Sequence, residues 1–293
     1  MRIVAAGTGG FIGGHLVPAL RAAGHTVTTL VRRPPRGDDE VPWDPDAGLL
    51  PAAALDGADA VVNLCGAGAG DRWWTPARKR VLRSSRVNPT GLLAAACARR
   101  GVPALLNASA VGYYGHRGDE TVTEADGPGD SFLARLCVDW EAATAPAAEA
   151  GVRVVTLRTG LVLGPDGGML PRLALLTRML LGGRLGSGRQ YWPWISIADQ
   201  VAAIGFLCRE PVHGPVNLTA PHPVTNAEFT AELGRVVHRP TPWVIPSPAL
   251  HAVLDGFAEE VVTGQRAVPA ALTAAGFTFL HRDLGTALRA WAG

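Results

Sequence analysis

The stretch Arg2–Leu16, RIVAAGTGGFIGGHL, decides the reading of this chain. Five glycines fall in the eight positions from Gly7 to Gly14, after a short apolar run and before FIGGHLVPALRAAGH, whose apolar residues recur at helical spacing. That pattern predicts strand, turn, helix, with Gly24 as the helix stop. Gly7, Gly10 and Gly13 are spaced GxxGxxG within the turn. A turn that receives a pyrophosphate needs glycine for its tightness, for close approach of the phosphates and for packing of helix on strand. The helix then presents unpaired N–H groups and a partial positive charge to the phosphates. A merely structural glycine turn is the plain alternative; the strand-turn-helix setting favours a dinucleotide.

Working outward, TVTTLVRR, ADAVVNLCG, PALLNASA, VRVVTLRTG and GPVNLTA read as strands, and TPARKRVLRSSRVNPTGLLAAACARRG, SFLARLCVDWEAATAPAAEAG and SIADQVAAIGFLCRE as helices. Nearly continuous apolar strands alternating with helices predict an α/β fold: a Rossmann-like, doubly wound parallel sheet covered on both faces. Beyond Gly164 the texture turns to glycine, aromatics and proline-punctuated helix. The expected division is a nucleotide-binding domain over residues 1–163, its sheet completed by segments around 195–220, and a smaller, mostly helical substrate lobe over 164–293. Thr225 with Glu228 has the form of a helix capping box. An NAD-binding chain carries Asp or Glu about 20 residues past the glycines. Here Arg32 and Arg33 end the second strand, and guanidinium forks suit a 2′-phosphate, so NADP(H) is the expected cofactor.

Composition narrows the function. The chain has 293 residues, 47% hydrophobic and 18% charged, with a formal net charge of +2 spread along its length. No polybasic run suggests nucleic acid or an anionic membrane, so a small-molecule substrate is expected. The cysteines Cys65, Cys97, Cys137 and Cys208 stand far apart, without a CxxC pair, and read as buried thiols of a reducing compartment. No signal-peptide pattern and no run of ~20 apolar residues is present, which leads to the expectation of a cytoplasmic protein. The eight histidines show no ligand spacing, so no metal site is expected, and no GxSxG elbow points to a hydrolase.

Several residues are candidates for a site at the carboxyl end of the sheet. Tyr113 and Tyr114 follow the strand PALLNASA, where ligands bind in open α/β sheets. Tyr113 is a candidate proton donor and Tyr114 a substrate contact, against the alternative that both are packing aromatics. Glu124 is the acid to watch in GDETVTEAD. Arg189, Gln190, Trp192 and Trp194, in GSGRQYWPWIS, have the makings of an aromatic pocket with polar tips, and Trp73 of GDRWWTP an opposite wall. A hydrophobic clamp between the lobes is the alternative.

The sequence resembles the extended short-chain dehydrogenase/reductase superfamily, within it the atypical "epimerase family protein" group, which ends in a small helical domain of unknown function. The blocks GGFIGGHLVPAL, VVNLCGAGAGDRWWTPARKRVLRSSRVNPTGLL, NASAVGYYGHRGDETVTEADGPGDSFLARLCVDWE, RTGLVLGPDGGMLPRL, LGSGRQYWPWISIAD and EEVVTGQRAVPAALTAAGFTF carry the likeness over essentially the whole chain. It implies that Gly7, Gly10, Phe11, Ile12 and Gly13 form the pyrophosphate turn and that Arg32 and Arg33 serve the adenosine end. Leu64, Cys65 and Gly66 pass beneath the adenine-side ribose and pyrophosphate, and Asn88 structures the sheet edge. Ala108 lies beside the nicotinamide, and Ser109 holds a substrate oxygen. Two departures stand out. Catalytic members carry Tyr-x-x-x-Lys, in which lysine lowers the tyrosine's pKa; SFLARLCVDWE offers only Phe132 or Leu133 with Leu136 or Cys137. Related chains read TGGTGFIG where this one has AGTGGFIG. The resemblance implies an NADP(H)-dependent oxidoreductase or epimerase acting on a small carbonyl or hydroxyl substrate. A non-catalytic NADP(H)-binding sensor or scaffold, and a non-redox lyase, cyclase or isomerase, are the alternatives. A homodimer is compatible with the alanine-rich segment Leu92–Ala98, as is burial of that segment within one chain.

Overall fold

A computed structural model describes residues 1–254 and 256–292. The chain opens β1 (Arg2–Ala6), α1 (Phe11–Ala22), β2 (Thr26–Val31), β3 (Glu40–Pro42), β4 (Ala60–Asn63), α2 (Pro76–Arg100), β5 (Ala104–Ala110) and β6 (Thr121–Val122). There follow α3 (Phe132–Ala142), α4 (Ala145–Glu149), β7 (Arg153–Thr159), β8 (Leu161–Leu163), α5 (Leu170–Arg178), β9 (Gly183–Leu185), β10 (Tyr191–Trp192), β11 (Trp194–Ser196), α6 (Ile197–Arg209) and β12 (Gly214–Leu218). The remainder is β13 (Val224–Thr225), α7 (Asn226–Val236), β14 (Trp243–Ile245), α8 (Ser247–Leu254), α9 (Phe257–Val262), β15 (Arg266–Ala267), α10 (Ala270–Ala274) and α11 (Leu284–Ala292).

Seven strands form one parallel sheet in the order β12-β7-β5-β4-β1-β2-β3. The chain winds outward from β1 through β2 to β3, then returns to lay β4 on the other side of β1. The strand order therefore reverses at β1/β4, which opens a crevice beyond their carboxyl ends. The two-residue period of a strand sorts the core. Ile3 and Ala5 pack with Leu16 and Leu20 of α1 and Ile204 of α6, while Val4 and Ala6 face Leu93, Ala94 and Cys97 of α2. A fully buried leucine such as Leu93 contributes roughly 1.5–3 kcal/mol. Leu93, Ala94, Ala96 and Cys97 are thus spent inside the chain.

One expectation needs correction, and the structure adds two details of the strands. The segment Ser131–Gly151 is two helices, because Thr144 turns its hydroxyl back to Glu141 O at 2.7 Å and Pro146 starts a new first turn. The short edge strand β3 has no apolar alternation to announce it. Of the segment around 195–220, β12 joins the large sheet, whereas β11 pairs with β8 in a two-stranded sheet. The capping box at Thr225 and Glu228 forms as expected. A separate apolar cluster, with Leu170, Trp192, Trp194, Phe229, Val261 and Leu288, holds the later elements together.

Candidate functional site

The turn after β1 is built by close backbone approach. Gly7 has φ +76°, and a Cβ there would stand 2.5 Å from Leu64 C and 2.7 Å from Cys65 N. Gly13 is as tightly placed, its missing Cβ falling 2.5 Å from Thr8 Cα. Gly10 is the N-cap of α1, and its N–H donates to Gly7 O at 3.2 Å. No side chain caps α1 and no acid occupies its first turn, so its N–H groups and dipole face the crevice without a counter-charge. Phe11 offers backbone only, since its ring fills the space that a Cβ on Gly164 or Gly167 would need. Ile12 packs into the core. The exit of β4 is fixed from below: Asn63 Nδ2 donates to Thr90 Oγ1 at 2.9 Å and Asn107 Oδ1 at 2.7 Å, while its side-chain Oδ1 accepts from Cys65 N at 3.1 Å. Burial pushes the Cys65 thiol up to about 12.

At the end of β2, Arg33 is held by two hydrogen bonds to Glu40, at 2.7 and 2.6 Å. The Arg33 guanidinium, with Arg36 N donating to the same carboxylate, lowers Glu40 to about 2. Arg32 is mostly exposed, 4.0 Å from Asp46. Asn88 also reaches Asp46, at 3.1 Å, and so does brace this edge. Arg32, Arg33, Trp43, Leu49 and Pro51 line a cavity of about 620 Å³.

At the end of β5 the pleat turns Ser109 toward α3. Its hydroxyl donates to Glu141 Oε1 at 2.6 Å, and the residue is only 4% exposed. In this structure the hydroxyl serves a buried network, not the crevice. Glu141 receives Arg158 Nε and Nη2 at 2.9 Å each, Arg158 Nη1 donates to Tyr114 Oη at 3.1 Å, and Tyr114 donates to Asn217 Oδ1 at 2.7 Å. Burial works against the Arg158 charge, but Glu141 and Tyr114 together hold the guanidinium above its ordinary value. Tyr114 is fully buried and burial pushes its phenol up to about 12, so it has no surface for a substrate. Glu124 accepts from Asn217 N and Ala271 N, tying α10 to β12.

The residues opposite the strand end are apolar. Cys137 donates weakly to Ala110 O at 3.7 Å, and Leu133 Cβ lies 3.4 Å from where a Gly112 Cβ would be. Burial pushes the Cys137 thiol up to about 12. Of the two possible registers for the missing Tyr-x-x-x-Lys, the one through Leu133 and Cys137 is therefore the one that faces β5. Tyr113 is half-buried on the turn after β5, with the Arg158 guanidinium 3.5 Å from its ring centre, a cation that sequence spacing does not reveal. No hydrogen bond engages its hydroxyl among the described residues. Ala108 is half-buried between Asn107 and Ser109.

The aromatic segment does not form a wall. Trp194 is fully buried and its indole donates to His222 O at 3.1 Å; Trp192 packs on Phe229 in the lobe's core. Gln190 is buried and donates to Leu185 O and Val261 O, while Arg189 is exposed near Asp119. Short strands β10 and β11, each paired, turn these indoles inward. Trp73 is 64% exposed at the surface, and Trp74 is the buried one, against Phe132 and Phe257. Sequence reasoning missed Glu141, Arg158 and Glu260. Glu260, in α9, lies against Ser131 and Leu133 N, and burial raises its carboxyl. Arg158 carried a readable signal, a charge inside the apolar run VRVVTLRT.

The comparisons agree with this geometry. The family model described as "NAD dependent epimerase/dehydratase family" matches residues 3–219. The chain belongs to that family. Residues 245–291 match a further domain of unknown function, DUF1731. Among members, an epimerase family protein of Mycobacterium bovis is 54% identical over 288 residues, 98% of this chain and 96% of the relative. The crystal structure of human epimerase family protein SDR39U1 with NADPH superimposes with a TM-score of 0.92 at 34% identity, covering 100% of this chain and 99% of that one. A nucleoside-diphosphate sugar epimerase from Corynebacterium glutamicum gives 0.83 at 38%, covering 100% of this chain but 58% of that one. The resemblance drawn from the sequence holds, as does the α/β, Rossmann-like fold. Among the described residues no helix is long and apolar enough to cross a membrane.

Proposed function

We propose that this chain binds NADP(H) across the β1/β4 crevice and acts as an atypical short-chain oxidoreductase or epimerase on a small carbonyl or hydroxyl substrate. The observation that carries the reading is the cradle at Gly7: a Cβ there would occupy the backbone of Leu64 and Cys65, beside an α1 N-terminus that lacks any cap or acid. Arg33, set in place by Glu40 at the end of β2, fits a 2′-phosphate, with the exposed Arg32, 4.0 Å from Asp46, beside it. The human relative solved with NADPH supports the same cofactor.

When bound, the nicotinamide supplies or accepts a hydride. The chain's part is binding, orientation and the proton. Backbone N–H groups of the first turn of α1 bind the diphosphate. Leu133 and Cys137 exclude water from the floor beside Ala110. Tyr113 holds or moves the proton at its Oη, and Arg158, stacked on the ring and clamped by Glu141, fixes the ring's place. Ser109 acts through Glu141 as a positioning residue. The apolar floor at Leu133 and Cys137 also favours a second reading, a sensor that binds NADP(H) without turnover.

Titration with NADPH and NADH, followed by tryptophan fluorescence and melting temperature, tests binding; NADPH is expected to bind at least tenfold more tightly. Oxidation of NADPH with a panel of aldehydes and ketones then separates the two readings. Tyr113→Phe is expected to keep NADPH affinity and cut turnover by 10²–10⁴-fold. Binding with no turnover on any substrate selects the sensor, and no binding of either coenzyme ends both.

A further inference from the structure

Arg78 and Arg86 are the half-buried guanidiniums of α2, and among the described residues neither has a carboxylate partner. Arg78 and Arg86 are eight residues apart, about two turns, so they share one face of the helix. Both reach the segment that leaves β4. Arg78 Nη2 donates to Gly68 O, and the Arg86 guanidinium carbon lies 3.2 Å from where a Gly66 Cβ would stand. Between them Ser85 Oγ accepts from Ala67 N at 3.1 Å, which fixes the segment against the helix. Arg86 stacks over Trp140 at 5.0 Å and gives one N–H to Leu82 O at 3.0 Å.

Both also lie against backbone and ring rather than an acid, unlike their helix neighbour Arg83, which pairs with Asp139 at 2.7 Å. Arg78 Nε is buried without a partner. Burial and the Arg78 charge push the Arg86 guanidinium below its ordinary value, with only the neighbouring Cys137 opposing them. Two like charges, partly desolvated and close enough to repel, are costly to keep unless an anion completes them.

We propose that Arg78 and Arg86 form an oxyanion subsite on the substrate side of the crevice, taking a phosphate or carboxylate carried by the substrate. The proposal deepens the reading above and rests on it for the word substrate. The diphosphate has the α1 N-terminus and the 2′-phosphate has Arg33. Arg86 lies beyond Gly66, toward Trp140 and Cys137 of α3, the helix that supplies the apolar floor. Guanidinium forks recognise planar carboxylate and phosphate oxygens by paired N–H bonds, and two forks on one helix face accept a doubly charged group.

The test is calorimetric titration of the NADPH-saturated full chain with inorganic phosphate and, separately, with succinate. One of the two is expected to bind, with affinity at least tenfold lower in Arg86→Gln and in Arg78→Gln. Arg86→Lys, which keeps the charge, should retain most of it, and Arg99→Gln, at the exposed far end of α2, all of it. NADPH affinity of every variant is measured alongside by fluorescence, and circular dichroism checks the fold. The proposal is overturned if neither anion binds the wild type, or if the Gln variants bind as the wild type does. It is equally overturned if the variants lose NADPH affinity tenfold and the anion binds only the unloaded chain, for the guanidiniums then serve the coenzyme's own phosphates. Should the wild type bind no NADPH, the functional reading fails by itself; an anion response of the unloaded chain that Arg86→Gln abolishes would still establish the subsite.

Discussion

Arg158→Met should be among the most damaging single changes in this chain, and the structure says why. The Arg158 and Glu141 side chains are 4% and 15% exposed, and the guanidinium gives two hydrogen bonds of 2.9 Å to the carboxylate. Ser109 adds a third bond to that carboxylate, at 2.6 Å. Methionine fills much of the volume but leaves Glu141 charged, buried and supported by one hydroxyl. Removing one partner of a buried pair costs roughly 3–5 kcal/mol. At about 2–4 °C per kcal/mol for a domain of this size, the melting temperature should fall by roughly 6–20 °C. Urea denaturation followed by circular dichroism at neutral pH measures the loss. Glu141→Leu combined with Arg158→Met removes both charges and should recover most of it, because a buried pair replaced by apolar groups is close to neutral. A single-variant loss below ~1 kcal/mol, or a double variant as unstable as both singles together, would refute a tightly coupled buried pair. NADPH affinity should change little in the double variant if the network acts as scaffold.

Gly7→Ala should abolish NADPH binding, since αL backbone costs a non-glycine residue about 1–2 kcal/mol and the methyl meets Leu64 C at 2.5 Å; unaltered affinity in fluorescence titration would contradict the cradle. Trp194→Ala should destabilise by about 3–5 kcal/mol while leaving NADPH affinity in the surviving folded fraction intact, as a lobe-core residue would and a ligand wall would not. Glu40, lowered to about 2 from an ordinary value near 4.5, supports the fold above pH ~4.5 and loses that support as pH falls toward 2. The wild type should therefore lose stability relative to Glu40→Gln over that window, and parallel acid-unfolding curves would rule the pairing out. Cys65 and Cys137, both pushed up to about 12, should resist iodoacetamide in the native chain at pH 8; rapid labelling of Cys137 would show an open floor.

The sheet was legible because its signals are local. Apolar runs such as RIVAA and ALLNASA are bounded by glycine or proline, and the helices between them carry their caps, Thr75 for α2 and Ser131 for α3. The break between α3 and α4 was not, because an alanine-rich run hides the role of Thr144. The turn at Gly7 could be read because a backbone requirement selects glycine alone. Side-chain partnerships across the fold could not. Glu141 and Arg158 are seventeen residues apart and meet only once β5, β7 and α3 are assembled. The tryptophans misled for a related reason: aromatic clustering fits a pocket or a core, and pairing of β10 with β13 and of β11 with β8 decides for the core.

The same pleat explains how a polar strand end can face an apolar floor. Along β5, Leu105, Asn107 and Ser109 share the face toward α2 and α3, and Ala104 and Leu106 the face toward α1 and α6. Asn107 closes a buried set with Asn63, Thr90 and Trp140; Ser109, two residues on, closes another with Glu141, Arg158, Tyr114 and Asn217. These groups satisfy one another, which makes the seam rigid and leaves no hydroxyl of it for a ligand. Ala110 and Gly112, past the seam, bring only small residues to Leu133 and Cys137. In the proposed reaction the proton therefore falls to a group outside the seam. Tyr113 meets that condition: its ring rests on the seam through Arg158, while its hydroxyl has no hydrogen bond among the described residues. In that proposal, position and polarity are divided between a buried ion pair that holds the ring and a turn that presents it.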